Sequence, residues 1–522
     1  MASTSTGPNA APGADVDDGR TPSDLVGAVV SGVLWKAATR VVAEVIRVVV
    51  LVTLVRLLTP ADYGVAGMAL VVSSFAGIFI DPALGAALVQ RPTIDERDRS
   101  TVFWIAAGIG ATLTVLGVAA SGLVADFFGE PEVQELFVVT SLCFSVIALS
   151  VAPRALLTRK LAYRRLEIRE MASIATGGTI AIAVALAGFG AWAIVSNFAA
   201  YCVVSTLLAW LMLDWRPRAV FSLDSARNLG GFSVRVFSAN VLAWGNQSVD
   251  KVLVGRFLGA PALGAYSVAY NAMQMPVLLV SGTVHSALTP AYSRIQDDRV
   301  RLERVWLRSK RLSVALVAPA LAALAVVAPD AVDVFFGDRW DEAVVPLQLL
   351  CLGGLAASLG AMNWSLLQAC GEAGRLLRLM LLSSAVVWCA FAAGLPWGIV
   401  GIAAFYAAAR WLLVVPTTWW TTTSVGFDFR ATLRAGLEMV LLAALAGAVA
   451  FGAREAFVTM GAPAGARLVL VAGLFAVVYG ALVRLLVPDV VREVRQMLLR
   501  RSRSRAVLPG ELDSTAGSES AR

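Results

Sequence analysis

Apolar stretches of roughly 20 residues, the length of a helix that crosses a bilayer, recur along nearly the whole chain and leave no interval for a separate soluble domain. Of 522 residues, 58% are hydrophobic and 15% charged, with a mean hydropathy of +0.75. A soluble domain carries about 25% charged residues. So apolar a surface has to face lipid, where backbone polar groups need internal partners and spans are therefore helical. Spans are expected at roughly 28–57, 63–90, 100–125, 133–157, 168–188, 191–213, 229–255, 262–289, 311–328, 343–368, 376–394, 397–419, 433–453 and 466–487. The expected fold class is all-α integral membrane, with about fourteen transmembrane helices.

The ends are of a different character. Residues 1–27 are rich in Ser, Thr, Pro and Asp and are expected to form a disordered tail. They lack the basic n-region of a signal peptide, so the first apolar segment is expected to remain as a span. Residues 488–522 form a basic tail whose start, Asp489 to Leu499, is expected to lie as a short amphipathic helix on the membrane surface.

Loop charge sets the expected orientation. One set of alternate connections carries Arg91, Arg97 and Arg99; Arg154, Arg159, Lys160, Arg164 and Arg165; Arg216, Arg218 and Arg227; and a run from Arg294 to Arg311. Later members carry Arg375 and Arg378, then Arg430 and Arg434. The intervening loops are acidic or uncharged at Asp126 to Val133, Leu186 to Ala191 and Asp330 to Glu342. Basic loops stay in the cytoplasm, so both termini are expected there, in a multi-pass protein of the bacterial plasma membrane. Membrane topology also accounts for the net charge of +7 without a nucleic-acid partner. The cysteines Cys143, Cys202, Cys351, Cys370 and Cys389 lie in apolar segments without paired spacing and read as small hydrophobes, so no metal site or disulfide is expected.

An internal repeat organises the spans. Leu54-Val-Arg-Leu-Leu-Thr-Pro-Ala-Asp-Tyr-Gly64 closes the first, and Val254-Gly-Arg-Phe-Leu-Gly-Ala-Pro-Ala-Leu-Gly264 closes the seventh. Phe127-Phe128-Gly129 recurs as Phe335-Phe336-Gly337, and Gly188 to Trp192 recurs loosely as Gly394 to Gly398. Three landmarks in one order imply two parallel six-helix lobes, 28–213 and 229–419, joined by a linker at 214–228 and followed by two extra helices within 433–487.

Charges inside spans carry the functional signal. Lys36, Arg40, Glu44 and Arg47 fall on a stripe roughly 80° wide on the first span. A charge at mid-bilayer costs at least about 2.5–3.5 kcal/mol. The stripe therefore either lines water or a ligand, with Glu44 partly neutralising Arg40 and Arg47, or forms a buried ion-pair cluster that fixes helix packing. On the equivalent helix of the second half, Arg235, Asn246 and Asp250 share a stripe, with Gln247 and Lys251 beside it. Two such helices point to a hydrated central cavity that binds an anion such as pyrophosphate through Lys36, Arg40, Arg47, Arg235 and Asn246. Glu44, Asp81 and Asp250 are candidates for ion coupling or for structural roles. Asp81 precedes Pro82 and equally fits a cap at a helix break. His285 reads as a packing histidine, and Arg410 either lines the cavity, pairs or snorkels. Trp104, Trp215, Trp340, Trp419 and Trp420 read as interface anchors. No Walker loop, nucleophile elbow, metal cluster or carboxylate pair is present, so a transporter without a cofactor is expected rather than an enzyme.

The stretch Arg56-Leu-Leu-Thr-Pro-Ala-Asp-Tyr-Gly64, followed by Phe79-Ile-Asp-Pro-Ala-Leu-Gly-Ala-Ala-Leu-Val-Gln-Arg91, resembles the N-terminal signature of the polysaccharide transporter family. These are oligosaccharide flippases of the multidrug/oligosaccharidyl-lipid/polysaccharide exporter superfamily. Asp250-Lys251, Val254 to Gly259 and Ala265 to Asn271 resemble its second-half signature, and the resemblance runs from about Ser31 to Thr423. Pro82-Ala83-Leu84-Gly85 departs from the family's usual Leu-Gly after the second-span Asp. The resemblance implies transfer of undecaprenyl-pyrophosphate-linked oligosaccharide to the outer leaflet for exopolysaccharide, capsule, lipopolysaccharide or teichuronic-acid synthesis. It also implies partnership with a polysaccharide polymerase and glycosyltransferases. A peptidoglycan-precursor flippase and an ion-coupled multidrug exporter of the same superfamily are the alternatives.

Overall fold

The computed structural model describes residues 39, 42–80, 85, 88, 89, 91, 93–489 and 492, with their side chains except at 224–239, 278–291, 293 and 373. Among the described residues every regular element is helical, and ten helical segments are long and apolar enough to cross a membrane by length and composition. Leu123, Leu412 and Leu441 on their outer faces are exposed, as a surface solvated by lipid requires.

The first half comprises α1 (42–57), α2 (Pro60–Gly77), α3 (Glu96–Phe128), α4 (Glu132–Arg159), α5 (Tyr163–Leu186) and α6 (Trp192–Leu211). Leu223–Arg294 is helical throughout except at Gly259, whose φ of 84° breaks it into α7 (223–258) and α8 (260–294). Then come α9 (Arg299–Phe335), a 3-10 turn (Asp338–Ala343), α10 (Val344–Gly360), α11 (Asn363–Ala369), α12 (Ala373–Gly394) and α13 (Gly398–Val425). The last two helices are α14 (Phe429–Thr459) and α15 (Ala464–Leu486).

Several helices outrun the apolar stretches that announced them. α2 starts at Pro60, not near 63, because Thr59 and Asp62 form a reciprocal capping box and proline suits the first helical position. α9 starts at Arg299, capped by Asp298, so Arg301, Arg304, Arg308 and Arg311 stand on its first turns rather than in a loop. Hydropathy marks where lipid begins; helical hydrogen bonding continues into water.

The repeated segments meet each other. A Cβ on Gly64 would lie 1.7 Å from the Ala260 carbonyl oxygen, and a Cβ on Gly264 would lie 1.9 Å from that of Pro60. The start of α2 and the start of α8 therefore pack backbone to backbone, each motif supplying the glycine that admits the other. The arginines cross over as well. Arg56 Nε donates to the Phe335 carbonyl at 3.0 Å, with a further hydrogen bond to Val334, while the Arg256 guanidinium sits 5.4 Å from the Phe127 ring centroid. Each arginine thus grips the Phe-Phe-Gly corner of the opposite half, where Gly129 and Gly337 adopt φ of 74° and 87°. Trp340 fills the junction, its Nε1 donating to the Val55 carbonyl at 2.9 Å.

A second tie holds the last two helices. Asp330, fully buried, accepts from Arg454 and Arg467 at 2.7 Å each, joining α9 to α14 and α15. Two arginines on the side expected to be poor in basic residues are accounted for by this shared carboxylate.

Gly64→Val should force the α2 and α8 backbones apart and lower stability by about 1–3 kcal/mol. Gly122→Val, where nothing lies within 4 Å of an added Cβ, should have a far smaller effect. Thermal unfolding of the purified protein compares the two.

Candidate functional site

Two cavities adjoin near Tyr63, one within the first half and one where the halves meet. One, about 240 Å3, is lined by α1, α2, α5 and α6 through Arg47, Leu51, Tyr63, Asn197 and Tyr201 among others. The other, about 280 Å3, is lined by Ser74 of α2, Ser248 and Lys251 of α7, and Ser267 and Asn271 of α8. Tyr63 and Ile194 line both, so the two share a wall. Together their walls carry hydroxyls, amides and two cations, a lining suited to water and to a polar ligand rather than to lipid.

The cations differ in their partners. Arg47 pairs with Glu44 on its own helix at 3.2 Å and with Glu170 of α5 at 3.1 Å. Glu170 also accepts from the Tyr201 hydroxyl at 2.8 Å and lies 3.7 Å from Arg169. The cluster holds two cations and two carboxylates, with the Arg47 side chain still half exposed to the cavity. Lys251 has no carboxylate at ion-pair distance among the described residues; its ammonium rests 4.7 Å from the Tyr270 ring centroid. Lys251 thus lines its cavity without a direct ion pair, with the buried Asp250 beside it as its electrostatic partner.

Among the expected site residues, Arg47 and Glu44 lie together as anticipated. Lys36, Arg40 and Asp81 lie outside the described residues, and the side chains of Arg235 and His285 do as well. Asn246 lines a different cavity, within the second half, and Arg410 lines it too. Helix geometry separates Asn246 from Lys251 by about 140° around α7, so the two cannot serve one cavity. Asp250 is fully buried and accepts from the Tyr266 hydroxyl at 2.8 Å, which ties α7 to α8 and marks it as a packing carboxylate.

Lys251, Glu170 and Tyr201 were missed as site residues by the sequence reading. Lys251 stood just off the chosen stripe. Glu170 falls at the start of the span expected at 168–188, and its charge there was not weighed.

Asp250→Ala should leave the buried Tyr266 hydroxyl without its acceptor and destabilise the protein by about 1–3 kcal/mol. Lys251→Gln, which removes no ion pair, should leave the unfolding midpoint within about 1 kcal/mol of the parent. Thermal unfolding in detergent separates the two roles.

The family described as polysaccharide biosynthesis protein matches residues 53–345. The lipopolysaccharide biosynthesis protein WzxC of Escherichia coli (strain K12) is 27% identical over 342 residues, covering 65% of this chain and 70% of that protein. The succinoglycan biosynthesis transport protein ExoT of Rhizobium meliloti (strain 1021) is 28% identical over 333 residues, covering 64% and 67%. The solved structure of the lipid II flippase MurJ in an inward closed conformation superposes with a TM-score of 0.70 at 14% identity, over 88% of this chain and 100% of that one, and shares its fold. The chain belongs to the polysaccharide biosynthesis protein family, within the polysaccharide transporter group that its motifs resemble.

Proposed function

We propose that the protein is a flippase that carries undecaprenyl-pyrophosphate-linked oligosaccharide repeat units across the bacterial plasma membrane by alternating access. The observation that carries this reading is the pair of adjoining polar cavities, one between the repeats with Lys251 on its wall and one within the first half with Arg47. Pyrophosphate crossing a bilayer needs counter-charge, and an ammonium held against a ring without a direct ion pair offers it. Relatives named for lipopolysaccharide and succinoglycan biosynthesis support a polysaccharide pathway over a peptidoglycan one. A drug exporter would need uncompensated carboxylates in the cavity, whereas Glu44 and Glu170 are both engaged by Arg47.

In this reading fourteen spans form two six-helix lobes, 28–213 and 229–419, with both termini cytoplasmic and the two extra helices of 433–487 alongside. The clasp of Arg56 and Arg256 on the opposite corners closes the outer side. Opening it while the inner ends converge moves the headgroup through the wet interior, and the polyprenyl tail stays in lipid. Polymerase and glycosyltransferases act before and after this step on the same lipid-linked unit.

Lys251→Ala and Arg47→Ala should each cut polymer export at least ten-fold with normal protein abundance in the membrane. Lipid-linked repeat units should accumulate on the cytoplasmic leaflet, measurable by their resistance to an externally added glycosidase. Full export by the double variant would remove both residues from the mechanism.

A further inference from the structure

The second half holds a cavity of about 310 Å3 that the proposed headgroup path does not use. It lies between α7, α10, α11, α12 and α13, and α7 is the wall separating it from the central space. Arg410, near the middle of α13, lines it. The guanidinium is placed by the ring of Tyr406 one turn earlier, 5.2 Å away. Tyr406 is fixed in turn: it stacks on Phe391 at 5.7 Å and rests against Gly353, where a Cβ would come within 2.6 Å of the ring. The side chain is therefore held at bilayer depth instead of reaching for the interface. No carboxylate pairs with it among the described residues, and its buried Nε has no hydrogen-bond partner.

The other polar groups of the lining include several acceptors, with the amides of Asn246 and Asn363 able to donate as well. Asn363 is only 4% exposed, and its Oδ1 has no donor. The Ser383 hydroxyl donates to the Leu379 carbonyl at 2.6 Å, and that of Thr417 to the Leu413 carbonyl at 2.7 Å. Their protons are used within their own helices, so the oxygens face the cavity with free lone pairs. Trp364 adds an apolar, aromatic surface. One fixed cation, several acceptors (the Ser384 hydroxyl, which donates to the Met380 carbonyl at 2.7 Å, among them) and an indole ask for a ligand with one anionic group, several hydroxyls and an apolar ring face. A metal cation is repelled by Arg410, and inorganic phosphate brings too few donors for the acceptors. The volume stands at the small end of ligand sites, enough for one ring.

We propose that this cavity is a subsite for a carboxylate-bearing sugar ring of the hexuronate type. The carboxylate accepts from Arg410, ring hydroxyls donate to Asn363, Ser383 and Thr417, and Trp364 covers the ring face. The proposal rests on the flippase reading only in assigning the ring to the transported repeat unit; a free sugar acid has the same chemistry.

Isothermal titration calorimetry on the full chain in lipid nanodiscs tests it, with D-glucuronate, D-glucose, acetate and inorganic phosphate as probes. Glucuronate should bind, and glucose and acetate, each lacking half of the recognised groups, should bind about ten-fold more weakly or worse. Arg410→Gln should weaken glucuronate by a similar factor. Ser383→Asp, which sets a carboxylate beside Arg410, should do the same and serves if Arg410→Gln does not yield folded protein. Acetate or phosphate binding as tightly as glucuronate, or glucuronate binding unchanged in the folded variants, overturns the proposal. An oligosaccharide with an internal glucuronate that competes for the site identifies the repeat unit as source; competition by the free sugar acid alone identifies the latter. No arm requires transport, so loss of the subsite and loss of the flippase reading are separate results.

Discussion

A charged group at bilayer depth persists only where water, a counter-charge or a hydrogen-bonding partner meets it, and this constraint orders the molecule. Each such group in the described structure has a different answer. Arg47 is met by Glu44 and Glu170. Asp330 is met by two arginines and Asp250 by a tyrosine hydroxyl. Lys251 and Arg410 make no direct ion pair: Lys251 rests on the Tyr270 ring beside Asp250, Arg410 on Tyr406, and both line cavities. The answered charges hold helices together. Lys251 and Arg410 stand where a ligand can reach them, whereas Lys310, buried against the Trp306 ring, does not.

The second organising element is the self-contact of the repeat. Because Gly64 meets Ala260 and Gly264 meets Pro60, the two halves touch through matching backbone at one point. Contact without side chains between permits close packing with little interdigitation to disrupt. The crossed arginines lie at the ends of the preceding helices, α1 and α7, so separating the halves there breaks hydrogen bonds and a cation–π contact but no ion pair. In the proposed cycle that makes the clasp a reversible closure, and the cavities behind it become reachable when it parts.

Much of this was legible in the residues. Long apolar runs announced a helical membrane protein, and Arg56, Arg256 and the Phe-Phe-Gly corners announced a repeat whose copies turned out to grip one another. Glu44 and Arg47 were placed together from their three-residue spacing alone. What sequence could not supply was rotation and tertiary partnership. Lys251 sits one residue from Asp250, yet one faces the cavity and the other the protein interior, and only the packing of α8 against α7 decides which. Glu170 meets Arg47 across 123 residues, a distance that periodicity does not bridge. Arg410 stood alone in an apolar span, and its setting required the position of Tyr406 and the break between α10 and α11 that brings Asn363 alongside.

The central claim is that the space between the repeats is wet and positive. Asn271 and Ser267 line it beside Lys251. Asn271→Cys and Ser267→Cys, each in a chain with the native cysteines replaced, can be exposed to two small methanethiosulfonates, one bearing a sulfonate and one a quaternary ammonium. A hydrated, cation-lined cavity gives reaction with both and a faster rate with the sulfonate, with the difference reduced by Lys251→Gln. No reaction with either reagent, or a faster rate with the ammonium, contradicts it.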